Sequence, residues 1–452
     1  MKEYAVQSNY IRHLTSKQFD SLKEMCRISN NLYNEGLYQT RQHFFAQHAL
    51  LTYESDYAIC KENENYKLLQ AAVSQHTLKV VARSFRSFLA LLKKCKRGDY
   101  RYQDVEMPHY RKKGGLFLLL LPVNAISIRN GMFRVPVSRH FRDTHPDYED
   151  IFVPFPKRLN GKTIKEVRII PVNGGRAFKI QYVHVVNQEI KNLDTTNVMG
   201  IDLGVDNLAT CVTDETSFIV DGRKLKSINR LWNKRIASLK SQLDKQYHDG
   251  KSHTSRQIQT LTDKRNCRVH DYMLKAARRI VDYCISNNIG CIVIGVNQGW
   301  KRGSKIGKRN TQNFVEIPFG QLRDQLSFLC WKYGIKYIEQ EESYTSKASY
   351  LDDDEMPVFG RGNSSENVSF SGKRIKRGLY RTANGTLVNA DVNGAANIAR
   401  KCKQELSNKR LSRGLLASPH RVSVETDITM EFQKLKLLGV SRIRIPYEKP
   451  LC

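Results

Sequence analysis

A chain of 452 residues is long enough for two or three domains with full cores. Its 74 Lys and Arg against 44 Asp and Glu give a formal charge of +30, spread along the whole length, which is the footprint of a protein that meets many phosphates. No run approaches the roughly eighteen consecutive apolar residues of a membrane span and the first residues carry no signal-peptide core, which argues against a membrane or secreted protein and for a cytoplasmic one.

Residues 2–12 alternate as a strand, and 17–45 read as a helix with Phe19, Leu22, Cys26 and Tyr33 on one face. A second long helix is expected over 67–94, where Leu78, Val81, Phe85, Phe88 and Leu92 recur at steps of three and four. Beside that stripe run Lys79, Arg83 and Arg86. Such a stripe is often only a solvated face; in a chain this basic a nucleic-acid-facing helix is the favoured reading. After Asp104 the period changes to two, at 132–136, 165–169 and 178–184, which marks half-buried antiparallel strands. The expected arrangement is a small β-barrel built from 1–14 and 105–195, with the helical segment 15–104 inserted into it.

Asp194-Thr-Thr-Asn197 reads as a domain boundary. Beyond it, 198–201 is an apolar strand that ends on Asp202, followed by a turn at Gly204 and a second strand. A carboxylate delivered to the end of a buried strand is costly unless it holds something, and hard divalent cations are the usual partner; Asp202 capping a turn is the plain alternative. Basic helices over 227–246 and 253–287, a strand at 291–294, a helix at 319–333 and a strand at 335–338 complete an α/β order. Asp391 then opens a helix rich in small residues, Ala395, Ala396 and Ala399. Helix capping alone accounts for an acid there. Between these elements lie two cation-dense segments, Trp300-Lys301-Arg and Lys373-Arg374-Ile-Lys376-Arg377, the second with Tyr380 nearby, a composition suited to nucleic acid. The ten cysteines form no C-x-x-C pair, so neither a zinc site nor a disulfide framework is expected. The stretch after Arg400 is basic and weakly patterned.

Asp202 and Asp391 together resemble the split active site of RuvC-type RNase H-like nucleases. From the first strand to about residue 403 the chain resembles the TnpB family, transposon-encoded RNA-guided DNA nucleases related to type V CRISPR effectors and to Fanzor. That resemblance implies a bilobed α/β plus β-barrel protein. A wedge β-barrel (1–14 and 105–195) would carry an inserted helical recognition domain (15–104). A RuvC-like nuclease domain (196–346, with a final helix in 389–410), a basic target-binding insertion (347–388) and a C-terminal tail (411–452) would follow. In most such sequences the strand at 291–294 ends on a glutamate; here the position is Gly295. In a zinc-free subgroup a later glutamate takes over, which points to Glu342, with Glu341 next and a solvated acidic turn as the plain alternative. Asp202, Glu342 and Asp391 would then hold two Mg²⁺ or Mn²⁺ ions, with no zinc.

By the same resemblance Tyr38, Gln75 and Lys79 would face the target. The partners would be a guide RNA from the transposon end, target double-stranded DNA and its displaced strand, in the nucleoid of a bacterial or archaeal cell. The implied activity is cutting beside a short flanking motif. A nuclease-inactive RNA-guided repressor is the alternative that Gly295 raises. Gly200-Ile-Asp-Leu-Gly204 also resembles the first phosphate loop of sugar-kinase-type ATPases, but no second glycine-rich phosphate loop follows.

Overall fold

A computed structural model describes residues 3–247, 253–296, 316–357, 369–402 and 413–425. The chain divides into two compact units, Met1–Asn187 and Gln188–Cys452.

In the first unit, β1 (Glu3–Tyr10) leads into the long helix α1 (Ser16–Gln47). Thr15 starts that helix by accepting from Gln18 N, while Gln18 Oε1 accepts from Thr15 N, so two orphan donors are satisfied reciprocally. The helix expected over 67–94 is two helices, α3 (Glu64–Leu68) and α4 (Ala71–Lys96), preceded by a short α2 (Tyr53–Cys60). The break falls where Leu69 is extended and Gln70 caps the new helix through Val73 N. The apolar stripe runs through α4 as read, with Leu78, Val81 and Phe85 fully buried.

The strands of this unit form two open sheets. β2 (Leu119–Pro122), β6 (Ile164–Val172) and β7 (Ala177–Val186) join β1 in the order β1-β7-β6-β2, all antiparallel. β3 (Ser127–Arg129), β4 (Met132–Arg134) and β5 (Phe152–Pro154) form the other. The sheets share a core in which Tyr182 of β7 meets Phe133 of β4 and Phe155 edge-on. Among the described residues the expected closed barrel is therefore not formed; the short β3–β5 ribbon keeps its own edges. A short helix α5 (Arg139–Thr144) connects β4 to β5.

The second unit is built on a six-stranded sheet: β8 (Asp194–Leu203), β9 (Asn207–Val212), β10 (Ser217–Asp221), β11 (Ile289–Val296), β12 (Lys336–Glu341) and β16 (His420–Val422), ordered β12-β11-β8-β9-β10-β16. The first three are antiparallel neighbours; β11 runs parallel to β8, β12 parallel to β11, and β16 parallel to β10. Residues 413–425, expected as part of a tail, thus reach the sheet through its edge strand β16, preceded by a one-turn helix α10 (Arg413–Ala417).

One face of the sheet is covered by α7 (Arg256–Ser286) and α8 (Phe319–Tyr333), with α6 (Arg223–Tyr247) packed on α7. The other is covered by α9 (Ala390–Lys401). A three-stranded sheet of β13 (Lys373–Lys376), β14 (Leu379–Arg381) and β15 (Leu387–Asn389) leads directly into α9. Among the described residues no helix is long and apolar enough to cross a membrane.

Candidate active site

The period of two along β8 sorts its side chains. Met199, Ile201 and Leu203 enter the core under α7 and α8, so Val198, Gly200 and Asp202 face α9. Gly200 is what lets α9 lie on the strand: a Cβ there would fall 2.3 Å from the Ala395 carbonyl oxygen. β8, β11 and β12 are parallel, so their carboxyl ends share one margin of the sheet, the place where strand-borne ligands converge in open α/β sheets. Asp202, Gly295 and Glu342 all lie at that margin. Asn389, at the end of β15, caps α9 by accepting from Asp391 N and Val392 N, which sets Asp391 in the first helical turn.

Gly295 and Glu342 meet there. A Cβ on Gly295 would lie 2.8 Å from Glu342 Oε2 and 2.5 Å from Ile398 Cδ1, so the carboxylate of Glu342 occupies the space that a side chain at 295 would need. Glu341 points to a different partner. It pairs with Lys401 Nζ at 2.6 Å, and Ser343 N donates to it at the same distance. Burial pushes the Glu341 carboxyl up, but the hydrogen bonds from Lys401 and Ser343 outweigh it and hold it below the usual range. The loop after Glu342 is tied to α9 by two buried asparagines. Asn393 accepts from Tyr350 N and donates to the Ala348 carbonyl; Asn397 donates to the carbonyls of Thr345 and Ala348.

The carboxylates influence one another. Asp202 keeps a little solvent access, yet burial, then Glu342, then Asp391 push its carboxyl well above the usual range, with Arg374 acting the other way. Asp391 is engaged on both oxygens: Asn207 Nδ2 donates to Oδ2 at 2.5 Å and Arg374 Nη2 approaches Oδ1 at 3.4 Å. Among the described residues no three His, Cys, Asp or Glu side chains stand close enough, as oriented, to enclose an ion. The donor set nonetheless suits a hard cation: three carboxylates on one sheet margin, one of them destabilised by the others, is the arrangement that Mg²⁺ or Mn²⁺ relieves. Gly295 leaves room for the Glu342 carboxylate, and Gly394 keeps the approach to Asp202 open, since a Cβ there would sit 3.0 Å from Asp202 Oδ2.

Beside Asp202 and Asp391 opens a cavity of about 790 Å³ whose wall carries Arg223, Lys226, Arg230, Arg374, Arg377 and Arg421. Acids and cations together suit a phosphodiester: Arg223, Lys226, Arg230, Arg374 and Arg377 can receive its charge and the acids would meet it through a bound cation, while Arg421 is taken up by Asp221 and Asn207. Of the four basic residues expected to bind nucleic acid in the 371–381 segment, Arg374 and Arg377 line this cavity, and Lys373 and Lys376 are exposed on the same hairpin. Arg377 pairs with Asp206, which also holds Lys226 at 2.9 Å. The acidic turn at 352–354 is a staple of the fold: Asp352 takes Ser349 Oγ and Ala383 N, Asp354 takes Ser349 N and Ser371, and Asp353 pairs with Arg400.

In the first unit, Tyr38, Arg83 and Arg86 are exposed as a nucleic-acid face requires. Lys79 is half-buried over the Tyr53 ring at 5.1 Å, and Gln75 is half-buried and hydrogen-bonded to Tyr66, so both already have partners within the fold. Trp300 and Lys301 lie outside the described residues. Sequence reasoning passed over Asn207, Asn393, Asn397 and Arg421. The first three had a signal, since asparagine in an apolar strand start or on an alanine-rich helix face must find partners when buried. Arg421 had none.

A family description, the probable transposase OrfB_IS605, matches residues 181–301, and the Cas12f1-like TNB domain matches 319–398. The TnpB-like protein ORF457 of Acidianus two-tailed virus is 24% identical over 432 residues, covering 87% of this chain and 86% of its own. Among solved structures the fold is similar to the Cas12f1 chain of a Cas12f1–sgRNA–target DNA complex, with a TM-score of 0.54 at 16% identity over 85% of this chain and 82% of that one. The mini-RNA-guided endonuclease CRISPR-Cas_phi3 matches with a TM-score of 0.43 at 11% identity, covering 91% and 93%. The two domain matches fall on the segments that carry Asp202 and Asp391, and the similarity to the viral TnpB-like protein spans most of the chain.

Proposed function

We propose that this chain is an RNA-guided, divalent-metal-dependent DNA endonuclease of a transposable element, cutting target DNA beside a short flanking motif. The observation that carries the reading is the exchange at Gly295: the glutamate missing from the strand end is replaced in space by Glu342, beside Asp202 and on the face of α9. The strand order, three antiparallel neighbours extended by two parallel strands, supports a RuvC-type RNase H-like domain. Guide RNA and target DNA are the partners of the similar Cas12f1 chain in its complex, and they fit the +30 charge of this chain.

Asp202, Glu342 and Asp391 would hold two Mg²⁺ or Mn²⁺ ions, and no zinc is assigned. When bound, such ions activate water and stabilise the leaving oxygen. The protein's own part is to bring three anions to one margin, to keep Glu341 away from them through Lys401, and to receive the phosphate chain with Arg374 and Arg377. Arg374, 3.4 Å from Asp391, is the counter-charge that a bound cation would replace at that carboxylate.

The test begins with sequencing RNA that co-purifies with the full chain. A plasmid carrying the complement of its guide segment, with randomised flanks, is then challenged in Mg²⁺ or Mn²⁺. Cutting next to a defined flank, lost on removal of RNA or metal, supports the reading. Guided binding without cutting by the unaltered chain makes it a repressor, and binding to no RNA overturns both.

A further inference from the structure

We infer that Asn207 and Arg421 form a positioning pair that sets the Asp391 carboxylate for metal binding; this rests on the metal-dependent reading above. Neither residue touches the reacting phosphate in this scheme. Both act through Asp391.

The geometry leaves the Asn207 amide a single sense. An amide's oxygen and nitrogen are interchangeable in shape, and its neighbours decide which way it faces. Arg421 decides it here. A guanidinium only donates, and Arg421 Nη2 donates to Asn207 Oδ1. The amide NH₂ therefore faces Asp391 and donates to Oδ2 at 2.5 Å. Arg421 is itself held from behind. Its Nη1 donates to Asp221 Oδ1 at 2.5 Å and lies 3.3 Å from the Asp206 carbonyl oxygen. The chain of contacts runs Asp221, Arg421, Asn207, Asp391, across β10, β16, β9 and the start of α9.

Two consequences follow. Donation to Oδ2 fixes the carboxylate plane, as carboxylates that ligate metals are commonly hydrogen-bonded on their other oxygen. It leaves Oδ1, with the long contact from Arg374, as the oxygen open to a cation. The arrangement also gives the strand at 420–422 a role: its parallel pairing with β10 is what carries Arg421 to the site.

The experiment measures Mn²⁺ binding to the RNA-free full chain by electron paramagnetic resonance, and metal-dependent cutting by the guide-loaded chain. Asn207→Ala and Arg421→Met should each weaken Mn²⁺ binding about tenfold, the lower end for loss of a partner behind a metal ligand. Both should raise by the same factor the metal needed for half-maximal cutting, with guided target binding unchanged. Because Arg421 works through Asn207, the double variant should be no weaker than Asn207→Ala alone, since residues in one hydrogen-bonded chain are not additive. A merely structural role would instead make the two losses multiply. Should Arg421→Met fail to fold, Arg421→Lys carries the same comparison: it keeps the charge but cannot hold Asp221 and Asn207 with separate nitrogens. Unaltered Mn²⁺ binding in Asn207→Ala, multiplicative losses in the double variant, or no Mn²⁺ binding by the unaltered chain overturns the inference. A chain that binds Mn²⁺ with this dependence but cuts no DNA sinks the endonuclease reading and leaves the positioning pair standing.

Discussion

Glu342 Oε2 lies 2.8 Å from the point where Gly295 would carry a Cβ, so the two positions cannot both present a side chain. Glycine at 295 is thus required by Glu342, and also by Ile398, whose Cδ1 would be 2.5 Å away.

Substitution at 295 is the direct test of that relationship. Gly295→Ala should cost about 1–3 kcal/mol, the range for overfilling a packed site, and should slow cutting because the methyl group drives Glu342 from its place. Gly295→Glu should be inactive alone. Combined with Glu342→Ala it should recover part of the lost cutting, since the carboxylate then enters from the strand end. Cleavage assays on the four variants read this; an active Gly295→Glu single variant with Glu342 intact would contradict it.

Asp202→Ala, Glu342→Ala and Asp391→Ala should each abolish cutting while guided DNA binding survives, measured by gel shift beside the cleavage assay. The same crowding predicts a stability gain. Burial, Glu342 and Asp391 all disfavour the Asp202 anion. The isosteric Asp202→Asn removes that charge, so without divalent metal it should melt a few degrees above the unaltered chain, as relief of a strained functional site commonly does. Calorimetry in a chelator checks it.

Glu341 separates structure from chemistry. Lys401 is 6% exposed and pairs with Glu341 at 2.6 Å, with further carbonyl contacts from Ser343 and Pro357. Glu341→Ala takes the carboxylate from that ammonium and leaves it the two carbonyls, so it should cost about 2 kcal/mol, the range for a hydrogen bond to a charged group. Cutting per folded molecule should fall far less than for Glu342→Ala. Loss of all cutting in a folded Glu341→Ala protein would move the ligand role to Glu341.

The sheet and the places of Asp202 and Asp391 were readable because they rest on local patterns, whereas Glu342 was singled out by the family resemblance. The strand ending on Asp202, the buried strand at 291–294 and the small-residue helix behind Asp391 each declare themselves by period and composition. What was not readable depended on pairing across long separations. Arg421 is 200 residues from Asp221 and reaches it through a three-residue strand, too short to show a period. The open sheets of the first unit were read as a closed barrel because alternation marks strands but says nothing of how their edges end. Gln75 was assigned to a target-facing surface through the family resemblance alone, and Lys79 through its basic stripe as well; that Gln75 meets Tyr66 and Lys79 lies over Tyr53 is announced by no local pattern.

A last prediction concerns acid in the helical part of the first unit. Asp56 on α2 is 2% exposed; Cys60 Sγ donates to its Oδ1, and its Oδ2 has no hydrogen-bond partner. Burial pushes its carboxyl up to about 7, against the Cys60 hydrogen bond and with a further push from Glu35. Gly36 makes room for it, since a Cβ there would meet Asp56 Oδ2 at 3.0 Å. The folded value lies above the ordinary 3.8, so between the two the native state holds a proton that the unfolded state releases. Stability from this group is therefore full below about pH 4 and lost as pH rises through about 7, by up to about 4 kcal/mol. The three tryptophans, at 232, 300 and 331, belong to the second unit, so their fluorescence does not report on this transition. Hydrogen exchange does: with intrinsic rates corrected, amides of α2 and the facing part of α1 should be better protected at pH 5.5 than at pH 8. Asp56→Ala, which has no proton to lose, should show no such difference; equal protection in the unaltered chain at both pH values would show that Asp56 is ionised throughout.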